Sequence, residues 1–538
     1  MNETDCIIVA SSETVQYEQY SKLPLERIDL YRNLVQLRMV YFDGGFRSTL
    51  DIFNKIISNK YFFEADYPDR RKLLSIWNMP ALNAVLAINP LLHQEINCKI
   101  INNFDAEFDL LSINAQSMEK PIICISTTFI LQWSEIGRIC KKIRQTIPKA
   151  ILILGGAFLH DQFLINGASA FEKPMRKYDI NFVLFSYNSE MDLFNLFFSL
   201  KNKTVLSAVT NLAYVDQQNN FRVTEEKWNP PELDNFPIHW EKIRRSPPPT
   251  TLQIRTSVGC PFRCAFCNYS TIAKKYTLSD IKNINQQIET INNLGSVDAL
   301  VFVDDNLNVP TKRFKELLSV LKRYQFRWYA FLRVQFVDEF IASEMKDSGC
   351  DGVYLGLESG CDELLVNMNK KATIKDYQHG IDMLKENDIT TFASFIVGFP
   401  GESRQTITRT TEFIDNSGLD FYSLKEWYYL KTSSIHTQCE KYGLSGEGNV
   451  WTHATMNSVE ASEMKLKMFG EVKRSVHVDP DMGLWCLSYL RDRGFSWNQI
   501  SSSLKIINEM ISRDNQGRWT EKADCIQNLE KVILKQTR

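Results

Sequence analysis

The feature that most constrains the fold is a regular alternation of short apolar runs and amphipathic stretches between residues 251 and 430. Residues 252–258, 299–303, 328–334, 352–357, 391–399 and 421–430 read as strands. Between them, Phe314, Leu317, Leu318 and Leu321 share one helical face, as do Ile374, Tyr377, Ile381 and Leu384, with Thr373 as an N-cap. Residues 281–294 and 403–414, and a stretch ending near Gly349, complete the helical set. Six βα-type units in about 180 residues predict a partial parallel barrel, short of the eight of a full one, with its chemistry at the C-terminal ends of the strands.

Directly after the first of these strands stand Cys260, Cys264 and Cys267, a C-x3-C-x2-C loop with Phe266 before the last thiol. Three thiolates on one loop can hold three irons of a [4Fe–4S] cluster and leave the fourth iron open to a ligand. Structural zinc takes four protein ligands, and no fourth Cys or His lies nearby at suitable spacing. Twelve cysteines in 538 residues are too sparse for a disulfide scaffold. The N-terminus shows no secretory pattern, so the expected setting is a reducing cytoplasm. A formal net charge of -2 argues against nucleic-acid binding. No apolar run reaches the roughly 18 residues that would span a bilayer.

Residues 226–250 carry Pro230, Pro231, Pro237 and Pro247 to Pro249 and read as an extended linker. Before it, residues 1–225 hold short apolar runs at 6–9, 122–125, 151–154 and 182–185, separated by helical stretches such as 133–147. Runs apolar on both faces suit buried parallel strands, hence a doubly wound α/β domain. Two strand ends carry small residues, Ser126-Thr127-Thr128 and Gly155-Gly156, which let a ligand approach the backbone. Residues 431–538 are mostly helical in pattern and rich in aromatics. The expected organisation is therefore an α/β domain (1–225), a linker (226–250), a partial barrel (251–430) and a helical module (431–538).

The cysteine loop resembles that of radical S-adenosylmethionine (SAM) enzymes. The resemblance extends through residues 251–430: Phe302-Val-Asp304-Asp305-Asn306 is similar to the acidic end of the second strand, Gly356-Leu-Glu-Ser-Gly360 to the fourth-strand SAM motif, and Val397-Gly-Phe-Pro-Gly401-Glu402 to the fifth-strand motif. It implies a partial (β/α)6 barrel in which the cluster binds SAM and cleaves it reductively to a 5′-deoxyadenosyl radical, with electrons from a flavodoxin- or ferredoxin-type donor. It implies SAM-binding roles for Phe266, Glu358, Ser359, Gly398 and Arg333, with Glu358 on the ribose and Arg333 on the SAM carboxylate. The N-terminal part resembles the cobalamin-binding domain found ahead of this barrel in many members. It lacks the D-x-H-x-x-G motif, and where a G-E-G-E-like turn is expected it has Ser186-Tyr-Asn-Ser-Glu190. Whether this domain binds cobalamin or has become a peptide-recognition surface is left open.

Cys361 directly follows the fourth-strand motif. A thiol there could return a hydrogen atom to a carbon radical, which resembles the radical SAM peptide epimerases of the proteusin type. The expectation ranked first is thus L-to-D conversion in a ribosomally made precursor peptide, with Cys361 as hydrogen donor. The second is a cobalamin-dependent radical SAM methyltransferase of natural-product synthesis, and the third a non-catalytic scaffold. Asp304, Asp305, Trp427, Trp451 and His453 are candidates to line the substrate site.

Overall fold

A computed structural model of the chain describes residues 4–13, 22, 25, 36–61, 73–243, 245–479 and 482–535. It divides into two compact units: Met1–Val15, Trp77–Pro249 and Thr271–Ser296 in one, and Gln16–Ile76, Thr250–Ser270 and Val297–Arg538 in the other.

The first unit is built on a seven-stranded sheet of β1 (Cys6–Val9), β2 (Cys98–Ile101), β3 (Ile122–Ser126), β4 (Ile151–Gly155), β5 (Phe182–Leu184), β6 (Leu212–Val215) and β7 (Phe221–Val223), in the order β2-β1-β3-β4-β5-β6-β7. The first five strands are parallel, and β6 and β7 add antiparallel partners at one edge. The parallel order 2-1-3-4-5 is that of the flavodoxin-like doubly wound sheet, whose ligands bind beyond the carboxyl ends of the strands. Alternation along each strand splits its side chains between two cores. Ile7, Val9, Ile123, Ile125, Leu152 and Leu154 pack with Ile136, Ile139 and Ile143 of the helix Trp133–Thr146. Cys6, Ile8, Cys124 and Ile153 face the other core, with Ala84, Ile88 and Leu91 of Leu82–Leu92 and Leu193, Leu196 and Phe197 of Glu190–Asn202. The four expected strands are present. The unexpected β2 is the sheet's edge, and its half-exposed Cys-Lys-Ile-Ile lacks the doubly apolar signature of the buried strands.

The second unit carries β8 (Thr251–Ile254), β9 (Ala299–Phe302), β10 (Arg327–Leu332), β11 (Cys350–Glu358), β12 (Thr390–Val397) and β13 (Phe421–Glu426), all parallel and side by side in sequence order. A two-residue seventh strand, β14 (Val476–His477), pairs with Phe421 and Tyr422. The six expected strands of the partial barrel are thus present, and β14 is an addition too short to leave a pattern in the sequence. Helices α1 (Thr311–Leu321), α2 (Glu339–Asp347), α3 (Asp362–Asn367), α4 (Ile374–Glu386) and α5 (Arg404–Asn416) connect the strands. Thr373 caps α4 in a capping box with Asp376, as expected, and Ser403 caps α5. Beyond the barrel lie four longer helices, Ser458–Glu471, Gly483–Asp492, Trp497–Asn515 and Ala523–Ile533. A small antiparallel sheet within 445–457 adds strands to the mostly helical module expected there.

The hairpin Met39–Phe42/Gly45–Ser48 groups with the second unit for visible reasons. Asp514 accepts from the Tyr41 N–H (2.9 Å), and Tyr41 and Phe46 pack edge-on against Trp519. Among the described residues no helix is long and apolar enough to cross a membrane.

Candidate active site at the cysteine loop

Every motif of the barrel falls where its strand ends. The cysteine loop follows β8, Asp304 follows β9, Arg333 follows β10, Glu358 closes β11, Gly398 follows β12 and Trp427 follows β13. This is the face on which barrel chemistry is built.

Each loop thiol has its own N–H donor. Asn306 Nδ2 donates to Cys260 Sγ (3.0 Å), Arg333 Nη2 to Cys264 Sγ (2.9 Å) and the Tyr269 backbone N–H to Cys267 Sγ (3.4 Å). The loop backbone is pinned from several sides. Ala265 donates to Met368 O (2.8 Å) and accepts from Ile435 N (3.0 Å), Arg263 O accepts from Asn369 Nδ2 (2.7 Å), and Gly259 N–H reaches the Tyr269 hydroxyl (3.1 Å). Burial pushes the Cys260 thiol up, and pushes Cys267 up to about 11, so without a cation these sulfurs hold their protons. A coordinated cation reverses that preference.

The loop fits a cluster better than a single ion. Tetrahedral zinc would draw its sulfurs to about 3.8 Å from one another, given Zn–S bonds of ~2.3 Å. Among the described residues, the one Cys/His/carboxylate trio whose ligand atoms all lie within 4.8 Å is Glu509, Asp524 and Cys525, so at least one pair of loop sulfurs is further apart than that. The donor set, three thiols each facing an N–H, is that of an iron–sulfur site, where such bonds tune the cluster.

Arg333 is placed differently from expectation. Its guanidinium reaches Cys264 Sγ and Lys370 O (2.5 Å) and lies 3.6 Å from the centre of the Phe262 ring. Asn308 clamps its backbone from both sides, Nδ2 donating to Arg333 O (2.8 Å) and Oδ1 accepting from Arg333 N (3.1 Å). The contacts therefore make Arg333 a brace for the cysteine loop rather than a side chain extended toward a carboxylate. Glu358 sits in the left-handed region, φ +70°, with Lys370 Nζ 3.2 Å from its Oε1. A Cβ on Gly356 would lie 2.7 Å from that oxygen, so this glycine makes room for the carboxylate. Ser359 is buried, hydrogen-bonded to the Thr410 hydroxyl (3.2 Å) and accepting from the Cys361 N–H (3.2 Å). Phe266 packs edge-on against Phe399, and Lys370 Nζ lies 5.9 Å from its ring.

Cys361 has contacts of another kind. Its thiol donates to Glu363 Oε2 (2.6 Å) and lies 3.7 Å from Arg409 Nη1, beside an exposed ion pair between α3 and α5. None of these groups touches the cysteine loop, so the geometry lends the hydrogen-donor role no support.

The remaining candidates are placed as follows. Asp304 is buried and accepts from Thr256 N and Oγ1 (3.0 and 2.9 Å) and from Ser257 Oγ (2.5 Å), tying β9 to the start of the loop. Asp305, beside it, is exposed, and its carboxylate accepts a hydrogen bond from Tyr269. Trp427, Trp451 and His453 do not open on a groove. They are buried, Trp451 and His453 stacked at 5.2 Å, Trp451 Nε1 donating to Trp427 O (2.7 Å), and His453 Nε2 bonded to Gly398 O (3.0 Å). Gly398, φ +94°, is where this stack meets the fifth-strand turn, since a Cβ there would lie 2.4 Å from the Trp451 ring.

The residues that sequence reasoning passed over are the supports: Asn306, Asn308, Lys370 and Glu402. Asn306 and Glu402 stood inside quoted motifs. Lys370 follows Asn369 in a turn with no motif to flag it.

In the first unit, the small residues at the strand ends pack closely on one another. Ser126 Oγ accepts from Asn83 Nδ2 (2.9 Å) and donates to Thr128 Oγ1 (3.2 Å). Gly156, φ +119°, packs so closely on the backbone of Thr127 that a Cβ would lie 2.9 Å from its nitrogen. Ser12 Oγ and Asn83 Oδ1 are buried without a hydrogen-bond partner among the described residues. Phe129 and Leu131 project exposed from the loop after β3. Small residues, orphaned polar atoms and exposed apolar side chains together fit a large ligand with a polar periphery, such as a corrinoid.

Comparison with known proteins agrees with this layout. Residues 254–414 match the profile of the radical SAM superfamily. The barrel is a radical SAM domain, and the chain is a radical SAM enzyme with a [4Fe–4S] cluster and SAM as its cofactors. An uncharacterized methyltransferase of Pyrococcus horikoshii is 23% identical over 346 residues, 62% of this chain and 72% of that protein. Further curated relatives are matched over only about a third of their length. Among solved structures, the radical SAM methyltransferase TsrM of Kitasatospora setae, with cobalamin and a [4Fe–4S] cluster bound, superposes with a TM-score of 0.58 at 14% identity, covering 84% of this chain and 97% of its own. The cobalamin-dependent radical SAM enzyme OxsB, with aqua-cobalamin and SAM bound, gives 0.54 at 12% identity over 99% of this chain and 79% of its own. The first unit is thus a cobalamin-binding-like domain in fold.

Proposed function

We propose that this enzyme is a cobalamin-dependent radical SAM methyltransferase that modifies a small molecule or peptide. The observation that carries the reading is the pairing, in one chain, of a flavodoxin-order sheet with small residues at its strand ends and a barrel whose three loop thiols are each met by an N–H donor. The relatives named as methyltransferases support it. The epimerase reading rested on Cys361, whose thiol is engaged by Glu363 and Arg409.

The cluster with SAM would supply reductive bond cleavage, and a corrinoid would supply a methyl carrier. The chain's own residues do the holding. Asn306, Arg333 and the Tyr269 N–H stabilise negative charge on the three sulfurs. The Glu358 carboxylate, held by Lys370 at the end of β11, offers two acceptor oxygens to paired hydroxyls. Phe266 and Phe399 pack edge-on, with Lys370 Nζ 5.9 Å from the Phe266 ring.

The test is visible absorption after reconstitution with iron, sulfide and hydroxocobalamin. A corrinoid spectrum that survives desalting supports the reading, and failure to retain any corrinoid rejects it.

A further inference from the structure

The first unit contains a buried histidine that none of the preceding roles uses. His160 lies in the helix Ala157–Asn166, which follows Gly155-Gly156. It is 6% exposed. Its Nδ1 is 2.9 Å from Phe185 O, a group that can only accept, so Nδ1 carries the proton and Nε2 is a bare lone pair. That Nε2 is buried and has no partner among the described residues. Burial also lowers its basicity and keeps the ring neutral. A buried acceptor left unmade costs about 1–3 kcal/mol.

His160 also lines a cavity of about 20 Å³, together with Ser186, Tyr187, Asn188, Trp228 and Lys274. That is room for one water-sized group, for which roughly 10–15 Å³ suffices. It lies past the carboxyl end of β5, the ligand-binding side of a doubly wound sheet. Tyr187 and Asn188 belong to the turn that departs from the cobalamin-domain pattern, and the Tyr187 ring centre is 5.8 Å from that of His160. The departure therefore does more than remove glycines. It walls a one-group pocket beside the histidine whose Nε2 is unsatisfied.

We propose that this pocket is a ligand subsite in which His160 Nε2 accepts a hydrogen bond from a single carboxamide N–H or hydroxyl on the edge of a corrinoid lying across the strand ends. The inference rests on the corrinoid reading above and adds the group that orients the ligand. No proton or electron changes hands. His160 positions the ligand and touches no reacting atom.

The experiment titrates hydroxocobalamin into the full-length, cluster-reconstituted chain and follows the visible spectrum, with the thermal midpoint of each apo protein measured in parallel. His160→Phe removes the lone pair and fills the cavity. The expected result is affinity weakened about tenfold or more, with an apo midpoint close to wild type, because removal of the orphaned Nε2 offsets loss of the Nδ1–H donor to Phe185 O. His160→Gln, which keeps an acceptor near Nε2, is expected to recover most of the affinity. If His160→Phe fails to fold, His160→Ala carries the same expectation. Affinity within twofold of wild type in the variant overturns the inference, since the pocket then holds a water and nothing of the ligand. A wild-type chain that binds no corrinoid overturns both the inference and the function it rests on.

Discussion

Glu402 ties the stability of the barrel to pH. It is 1% exposed, and it accepts from the backbone N–H groups of Gly398 and Phe399 at the fifth-strand turn. Those two bonds favour the carboxylate, but desolvation outweighs them and raises its carboxyl from 4.5 to about 8. A carboxyl raised on folding binds its proton more tightly in the native state. Its contribution is fully present below about pH 4.5 and is lost as pH climbs through about 8. At 1.36 kcal/mol per pKa unit, the linkage reaches on the order of 5 kcal/mol across that window. Glu402→Gln removes the titration and keeps an acceptor for both N–H groups. It adds one buried N–H relative to the protonated acid, at a cost of about 1–3 kcal/mol. The variant should therefore be less stable than wild type at pH 5 and more stable at pH 9. Urea unfolding followed by tryptophan fluorescence at both pH values measures this. Curves that keep the same separation at pH 5 and pH 9 would refute the reasoning, because a carboxyl ionised throughout has no such linkage.

Other outcomes follow from the same contacts. Gly398→Ala places a methyl against the Trp451 ring in the left-handed region, and should cost about 3–5 kcal/mol in the same unfolding assay. Arg333→Lys loses the planar fork that serves Cys264 and Lys370 together, and should move the cluster's reduction potential to more negative values in a redox titration by EPR. Cys361→Ala should leave SAM consumption and product formation within about twofold of wild type, and loss of product with intact SAM cleavage would restore the hydrogen-donor reading. Thr373→Ala removes one side of the α4 capping box and should lower stability by about 1 kcal/mol without changing iron content.

Much of this architecture was legible in the sequence because it rests on short-range rules. The barrel strands were found from apolar runs between amphipathic helices, and Thr373 from the chemistry of helix starts. The cysteine triad was recognisable because three thiols on one loop have few alternative uses. What escaped depends on contacts between distant segments. Nothing local marks Arg333 as the donor to Cys264, 69 positions away. Nor does anything mark Lys370 as the partner of Glu358 across a turn. Cys361 shows the complementary limit: its place after the SAM motif is a fact of the sequence, but the contacts of its thiol with Glu363 and Arg409 are visible only in the fold. Trp427, Trp451 and His453 showed as an aromatic cluster, and only packing distinguishes a buried stack from an open groove.

The central claim is tested most directly by turnover with SAM carrying a trideuterated methyl group, in the presence of reductant and bound corrinoid, with mass analysis of the SAM-derived products and of the acceptor. The account predicts corrinoid-dependent formation of S-adenosylhomocysteine and an acceptor that gains the intact labelled methyl. SAM cleavage without any transfer of label, unchanged by corrinoid, would contradict it.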